Sequence, residues 1–263
     1  MFSLTLPLMD IHIHNKYSLD AKGSTEEVLK EASLKNLDFI AITNHVPPDP
    51  TWINKLRREV EGLRRRYELE VLVGAEIGIK DEKGGLFVDE TYLKQLDFVL
   101  AADHILPGVP YRNSDGIYFS DPAVEDYTKE EIVEKWFNSV VGAIESRRVD
   151  AVAHLGWVLV QERIVAKPEE ISLEYKEEIA EKAAENSVFI EVNASAQLPD
   201  EDFLRQCLRK GAKFVLGSDA HEPALVGELD WAIKILEKIG ASKEDVATLE
   251  DVLKRVARRK SSI

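Results

Sequence analysis

All six histidines of this chain lie where a predicted β-strand gives way to a loop. They are His12, His14, His45, His104, His154 and His221. The carboxylates Glu76 and Asp219 occupy the same kind of position, directly after apolar runs. A parallel (β/α) barrel brings the carboxyl ends of all its strands to one face, where active sites are built. The pattern therefore predicts that side chains distant in sequence meet around one centre.

The whole chain follows a β-then-α order. Short apolar runs rich in Val, Ile and Phe alternate with longer segments of helical period. Strands are predicted at 8–11, 39–43, 71–77, 97–102, 150–154, 188–192 and 213–216. Helices are predicted after a cap at Ser24 and at 52–67, 129–147, 172–186, 200–210, 228–239 and 243–259. This order favours the α/β class, as a distorted seven-stranded TIM-like (β/α) barrel, over an open doubly wound sheet.

Length and composition predict one domain spanning residues 1–263. The chain is 44% hydrophobic, and its formal net charge of -14 repels nucleic-acid backbones and anionic membranes. No segment approaches the roughly 20 apolar residues that span a bilayer. The single cysteine, Cys207, lies on an apolar helical face and is predicted to be a core thiol. We expect a cytoplasmic protein that binds neither membrane nor nucleic acid, and we make no prediction of oligomeric state.

Two predicted connections, at 105–127 and 157–170, are longer than usual. Long ordered loops above the active face of a barrel commonly carry substrate contacts. Basic side chains in or near these loops are candidates for a phosphate clamp, with a solvated surface position as the alternative. They are Arg163, which is the preferred candidate, Arg112, Lys16 and Lys167.

The histidines and carboxylates together suit a metal. Residues two apart in a strand point the same way, so His12 and His14 can address one ion. A lone His-x-His pair is weak evidence, but here it accompanies further ligand types at other strand ends. These are Asp20, His45, Glu76, His104, His154, Asp219 and His221. Imidazole and carboxylate are the ligands of zinc, manganese and iron, so the sequence predicts a metallohydrolase.

The ordered motifs around these residues resemble those of the PHP (polymerase and histidinol phosphatase) superfamily. The motifs are Asp10-Ile11-His12-Ile13-His14, Ser18-Leu19-Asp20, Ile42-Thr43-Asn44-His45, Gly74-Ala75-Glu76, Asp103-His104, Ala153-His154 and Gly217-Ser218-Asp219-Ala220-His221. The resemblance covers residues 8 to about 230. It implies a distorted barrel that binds up to three divalent ions of zinc, manganese or iron at the carboxyl ends of the strands.

The resemblance also implies how the ligands divide. His12, His14, Glu76 and Asp219 would hold one ion, and Glu76 would bridge to a second ion held by His104 and His154. Asp20, His45 and His221 would hold the third. Asn44 stands where the family usually has aspartate, a departure that bears on the tuning of His45.

The implied activity is hydrolysis of a small phosphomonoester by a metal-activated hydroxide, with Glu76 and Asp219 in the catalytic centre. Asp103 and a metal-bound water are both candidates for the general acid, and for Asp103 a role in orienting a ligand is the alternative. Histidinol phosphate is the leading candidate substrate. Because it carries an amine and an imidazole, a selective pocket would present acids, for which Asp103, Asp115 and Glu222 are available.

Three other functions remain open. A nucleotide or cyclic-phosphate phosphodiesterase, or a nuclease, of the same superfamily is the nearest alternative. A non-catalytic, metal-binding regulatory module would be expected to have lost ligands, whereas every ligand position here is filled. An amidohydrolase-type barrel is disfavoured because no lysine is predicted at a strand end to bridge the metals.

Overall fold

A seven-stranded, wholly parallel sheet forms the centre of the protein in a computed structural model that describes residues 6–46, 50–114 and 119–263. In spatial order its strands are β1 (Met9–Ile13), β2 (Phe39–Ile42), β3 (Glu70–Gly78), β4 (Phe98–Ala102), β7 (Ala151–Val152), β8 (Phe189–Asn193) and β9 (Phe214–Gly217). The two remaining strands, β5 (Tyr111–Ser114) and β6 (Phe119–Pro122), form a separate antiparallel hairpin. The strand order follows the sequence order, as in a barrel.

Helices connect the strands. They are α1 (Thr25–Leu34), α2 (Trp52–Tyr67), α3 (Glu90–Leu93), α4 (Lys129–Glu145), α5 (Trp157–Gln161), α6 (Leu173–Asn186), α7 (Glu201–Lys210), α8 (Asp230–Ile239) and α9 (Leu249–Ser262). The predicted cap at Ser24 is confirmed, since its side chain and that of Glu27 form a reciprocal capping box. None of the described helices combines the length and apolar composition needed to cross a bilayer.

The first and last strands meet and nearly close the barrel. Ile13 and Ala220 form a parallel bridge, and the His14 amide donates a 2.8 Å hydrogen bond to the Ala220 carbonyl. Beneath this bridge, the fully buried Asp10 carboxylate accepts hydrogen bonds from the amide and the hydroxyl of Ser218, at 3.0 and 2.6 Å. The predicted seven-stranded (β/α) barrel is confirmed.

The last helix, α9, is anchored near the amino-terminal ends of the strands by buried charge. The Arg259 guanidinium is fully buried, and its Nε lies 2.7 Å from Oδ2 of Asp150, which immediately precedes β7. Its two terminal nitrogens donate to the carbonyls of Leu93 and Leu96, both at 2.9 Å. Every polar group of this guanidinium therefore has a partner, as burial of a charge requires.

The observed elements differ from prediction in four places, the first of which is the unpredicted short helix α3. Helix α9 begins at Leu249 rather than at 243, because Val246 instead forms a parallel bridge with Phe214. Strand β7 is shorter than predicted. The two long predicted connections contain the β5–β6 hairpin and helix α5.

Candidate metal centre

The Glu76 carboxylate lies at the centre of a cluster of imidazoles. Glu76 is buried, and its Oε1 lies 2.9 Å from Nε2 of both His104 and His154. Its Oε2 lies 2.9 Å from Nδ1 of His45, and Nε2 of His12 and of His14 are slightly further away. One carboxylate thus contacts side chains that follow or belong to strands β1, β2, β4 and β7.

Four donor atoms in this cluster have the spacing of metal ligands. His12 Nε2 lies 3.3 Å from Glu76 Oε2 and 3.4 Å from Asp219 Oδ1. His14 Nε2 lies 3.5 Å from each of the same two oxygens. Ligands about 2.1 Å from a tetrahedral ion are separated by about 3.4 Å, so these four histidine–carboxylate distances match four of the six edges of such a tetrahedron. They belong to the residues predicted to share one ion.

Hydrogen bonds on the opposite edge of each ring fix the tautomers. His12 Nδ1 lies 2.7 Å from the Glu191 carboxylate, which can only accept, so the proton is on Nδ1. Ser18 acts in the same way on His14, because its hydroxyl lies 3.0 Å from His14 Nδ1 and donates to Asn44. The Nε2 atoms of both histidines are buried without a hydrogen-bond partner and face carboxylate oxygens. A cation between them would satisfy this arrangement.

The other predicted ligands lie either around Glu76 or around Asp20. His45, Glu76 and His104 each offer a ligand atom within reach of the others, as do His12, Glu76 and His154. On the outer side, Asp20 Oδ2 lies 3.3 Å from His45 Nε2 and 3.5 Å from His221 Nε2. His45 therefore stands between Glu76 and Asp20, and the cluster is continuous. The structure brings all nine predicted ligands together.

The charges in the cluster strongly perturb one another. Burial lowers the pKa of His45, but the carboxylates of Glu76 and Asp20 outweigh burial and raise that pKa to about 10. Burial, together with the neighbouring His45 and His12 rings, lowers the pKa of His14 to about 3. Burial alone would raise the pKa of Glu76, but charge on His104, His12 and His45 holds it well below its usual value. The buried carboxylate is thus stable as an anion only among positive charges.

Two of the candidate ligands have strained backbones. His154 has a φ of 23° and Asp219 a φ of 55°, values that residues other than glycine seldom adopt. Both residues directly follow a barrel strand, where the chain must turn sharply to direct the side chain towards the cluster. Such strain is maintained when the surrounding structure over-determines a functional geometry.

Asp103 and Asn44 support ligands rather than face the cavity. Asp103 is buried, and its Oδ2 accepts hydrogen bonds from Trp136 Nε1 at 2.6 Å and from the Gly156 amide at 2.9 Å. Its Oδ1 lies 3.4 Å from His154 Nδ1, which is the geometry of a positioning residue. The Asn44 carbonyl accepts from the Ser18 hydroxyl, whose oxygen also accepts from the His45 amide. Asn44 thus reaches both His14 and the backbone of His45 through Ser18.

A cavity of about 570 Å³ opens above the cluster. Most of the predicted ligands line it, whereas His12 and His14 lie behind them and are buried. The wall beyond the cluster is mainly apolar and aromatic. Its apolar residues are Val46, Leu86, Phe87, Val88, Ile105, Phe119 and Trp157. Among the described lining residues outside the cluster, Lys80 and Asp89 are the charged ones.

The predicted phosphate clamp does not line this cavity. Lys16 Nζ instead pairs with Glu59 at 2.7 Å, and Arg112 pairs with Asp121 and Glu125 on and beside the β5–β6 hairpin. Arg163 and Lys167 are exposed and, like them, absent from the described lining. Ion pairs with acids of neighbouring segments hold Lys16 and Arg112 outside the cavity. The spacing of residues in the sequence does not reveal these pairs.

The acids predicted to receive a cationic substrate are also placed elsewhere or not described. Asp103 is turned towards Trp136 and Gly156, and Glu222 forms an exposed ion pair with Lys22 at 3.2 Å. Asp115 lies outside the described residues. Sequence reasoning missed Glu191, Lys80 and Asp89. Of these, Glu191 had a signal, since it is an acid within an apolar strand.

Comparisons with known proteins agree with this geometry. The model of the PHP domain family matches residues 10–195. A "Probable phosphatase" from Acetivibrio thermocellus is 32% identical over 244 residues, covering 88% of this chain and 87% of the relative. A second "Probable phosphatase", from Thermoanaerobacter sp. (strain X514), is 28% identical over 273 residues, covering 96% of each chain.

Solved structures share the fold. The histidinol phosphate phosphatase of Lactococcus lactis subsp. lactis, solved with zinc, L-histidinol and phosphate, aligns with a TM-score of 0.64. It is 18% identical, and the alignment covers 93% of this chain and 100% of that one. The family that the ordered histidine motifs resembled is thereby confirmed: this chain belongs to the PHP domain family.

Proposed function

We propose that this phosphatase hydrolyses a small phosphomonoester with the help of divalent metal ions bound by the cluster around Glu76. Its enzyme class, a phosphatase and hence a hydrolase, follows from its family and relatives. The observation that carries the metal proposal is the set of four histidine–carboxylate distances of 3.3 to 3.5 Å, in which both histidine nitrogens lack a hydrogen-bond partner.

The residues present fit such ions. His12, His14, Glu76 and Asp219 would hold the first. His104 and His154 would hold a second with Glu76, and a third would lie among Asp20, His45 and His221. Zinc, manganese and iron all accept imidazole and carboxylate ligands. Bound divalent ions would acidify a water molecule and neutralise charge on the phosphate and on the leaving oxygen.

The protein's own groups set the geometry of this chemistry. Glu191 and Ser18 keep the proton on Nδ1 of His12 and His14, so that Nε2 of each faces the reaction centre. Asp103 lies 3.4 Å from His154 Nδ1 and supplies negative charge beside that ring. The Trp157 ring lies edge-on to His104, with 5.7 Å between centroids, and places apolar surface beside the cluster. A buried centre of this kind strengthens electrostatic interactions with a phosphate.

The cavity suits a small ester. A volume of about 570 Å³ lies within the range of small-molecule sites. Histidinol phosphate remains a substrate to assay, although neither Asp103 nor Glu222 lines the described cavity as a selective amine site would require. We also keep the proposal of a cytoplasmic location, and that of no nucleic-acid partner, which the net charge of -14 supports.

Metal dependence is tested by chelation. The metal-free protein should retain its far-UV circular dichroism and lose at least 100-fold in kcat/KM for 4-nitrophenyl phosphate. Addition of zinc, manganese or iron(II) should restore activity. Full activity in protein shown to be metal-free by elemental analysis would overturn the proposal.

The ligand assignment is tested by metal content. Glu76→Gln should lose occupancy of two ions, because Glu76 Oε1 and Oε2 face different histidines. His45→Ala should lose mainly the ion near Asp20. Equal, single-ion losses in the two variants would contradict the assignment.

A further inference from the structure

The side of the cavity away from the cluster is built on an extended segment that continues strand β3. Glu76, Gly78 and Lys80 all line the cavity. Residues two apart in an extended chain share a face, so these three stand in a row. At about 3.3 Å per residue, the Cα of Lys80 lies about 13 Å from that of Glu76. Lys80 is therefore placed to meet the far end of a bound ester rather than its scissile phosphate.

Gly78 lies between Glu76 and Lys80 and exposes its backbone to the cavity. A Cβ at Gly78 would lie 3.2 Å from Cδ2 of Phe87, so a side chain would displace that ring. The turn that returns from Lys80 brings Phe87 back over the strand, with the Phe87 amide bonded to the Gly78 carbonyl at 3.1 Å. The absence of a side chain at Gly78 thus lets the Phe87 ring pack closely over the strand backbone beside the cavity.

Aromatic rings form the wall of the cavity on this side. The Phe87 and Phe119 rings stack with 5.5 Å between centroids, and Tyr111 meets Phe119 edge-on at 5.7 Å. Leu86 and Val88 extend the same surface. Flat apolar groups pack well on such a wall, since offset and edge-to-face ring pairs add to the gain from burial.

The Lys80 ammonium has no ion-pair partner among the described residues. Most of the other charged residues that line the cavity belong to the ligand cluster. Asp89 also lines the cavity but forms no ion pair with Lys80. Lysine donates hydrogen bonds and cannot accept them. Its natural complement is an anionic group on the substrate.

We propose that Gly78, Lys80, Phe87 and Phe119 form a leaving-group subsite that selects monoesters whose leaving group combines an apolar ring with a second anionic group. This inference rests on the proposed phosphomonoesterase function and names its substrate class. The ring lies on the Phe87–Phe119 wall, and Lys80 binds the anion at the far end. Cationic esters, including histidinol phosphate, are disfavoured by Lys80.

The test compares three matched esters on the metal-loaded enzyme: 4-carboxyphenyl, phenyl and 4-(aminomethyl)phenyl phosphate. We expect kcat/KM to fall in that order, with at least a tenfold range. Lys80→Met should reduce the advantage of the carboxylate over the amine at least threefold, and it should lower kcat/KM for the carboxylate ester more than for phenyl phosphate. Lys167→Met, an exposed lysine outside the cavity, is the control and should preserve the full order.

A binding measurement separates recognition from turnover. The non-hydrolysable 4-(phosphonomethyl)benzoate should bind at least threefold more weakly to Lys80→Met than to the parent, by calorimetry. An unchanged order of esters and an unchanged Kd in Lys80→Met would overturn the subsite. A uniform loss of kcat/KM for all three esters would also overturn the subsite, because Lys80 would then bind the scissile phosphate. A preference for the amine ester that depends on Asp89 would overturn it as well. Absence of activity on every monoester would instead refute the proposed function itself.

Discussion

Glu191 and His12 form a fully buried carboxylate–imidazole pair, with 2.7 Å between Oε1 and Nδ1, on the edge of the His12 ring opposite the ligand cluster. The second oxygen of Glu191 accepts a 2.8 Å hydrogen bond from the backbone amide of His154. A single side chain thus orients the ring of one candidate ligand and the strained backbone of another. Partners of this kind affect metal affinity nearly as much as the ligands themselves.

Glu191→Gln should weaken metal binding roughly 10- to 100-fold. Glutamine keeps one acceptor oxygen and replaces the other with a donor, so either His12 Nδ1 or the His154 amide faces an N–H group. Competition with a chromophoric chelator measures the change in affinity. Glu185→Gln, at an exposed position on α6, is the matched control and should bind metal like the parent. Parental affinity in Glu191→Gln would show that the pair is only structural.

Gly217→Ala should disturb the same pair from below. A Cβ at Gly217 would overlap Glu191 Oε1 and lie 2.8 Å from Cβ of His12. We expect a loss of about 1–3 kcal/mol in the free energy of unfolding, as for other overpacked sites, together with weaker metal binding. Gly62→Ala is the contrasting variant, because nothing lies within 4 Å of that Cβ. On helix α2 it should stabilise by up to about 1 kcal/mol. Urea unfolding measures the free energy of unfolding of both variants. An equal change in the two would contradict the close packing of Gly217 against Glu191 and His12.

Arg259→Met should cost about 3–5 kcal/mol in the free energy of unfolding, because it leaves Asp150 buried without its closest cation. Arg258→Met is the control, since Arg258 is exposed and makes a single 3.0 Å bond to the Ser187 hydroxyl. Its cost should remain below about 1 kcal/mol. The folded fraction of Arg259→Met should retain the kcat of the parent, and a selective loss of kcat would link α9 to the active site.

Acid should weaken the start of helix α9 through Asp251. Burial raises the pKa of Asp251, but bonds from Lys213 and from the Thr248 amide outweigh burial and lower that pKa to about 2. Because this value lies below the ordinary aspartate pKa of about 3.9, the ionised group stabilises the fold above about pH 4. The stabilisation is lost as the pH falls from about 4 to about 2.

Asp251→Asn should therefore be less stable than the parent at pH 6 by about 1 kcal/mol, and the two should converge near pH 2. Urea titrations at several pH values measure this difference in the free energy of unfolding. The other titrating groups are the same in both proteins, so their contributions cancel. Asp230→Asn, whose side chain is 86% exposed, should show no such convergence. A gap between parent and Asp251→Asn that does not depend on pH would refute the assignment.

The barrel could be predicted because its strands are buried on both faces and so appear as apolar runs. The residues of β2 and β4 are all buried, and their sequences are wholly apolar. The β5–β6 hairpin could not be predicted, since its residues Tyr111–Ser114 are mainly exposed and show no apolar alternation. Helix α5 is short and follows a glycine with a left-handed backbone, so it lacks the usual capping signal. The extent of a single domain over residues 1–263 stays a prediction.

The ligand cluster could be predicted because topology alone gathers residues that follow parallel strands. The phosphate clamp could not, because the partners of Lys16 and Arg112 are decided by packing between distant segments. Lys80 gave no sequence signal, since it lies two residues beyond β3 in a turn rich in charge and glycine. Its position in the cavity depends on a backbone bond to Gly85, which folds the turn back over the strand.

The seam between Asp10 and Ser218 joins residues 208 positions apart, and it has a consequence for when the proposed metal ions could bind. At ~5–20 residues per second, a ribosome needs roughly 10–40 s to travel that distance. Throughout this interval the nascent chain carries His12 and His14 but lacks Asp219. The four-donor set is therefore complete only when the last strand has left the ribosome and closed the seam, so an ion that needs all four ligands would bind late in synthesis or after it.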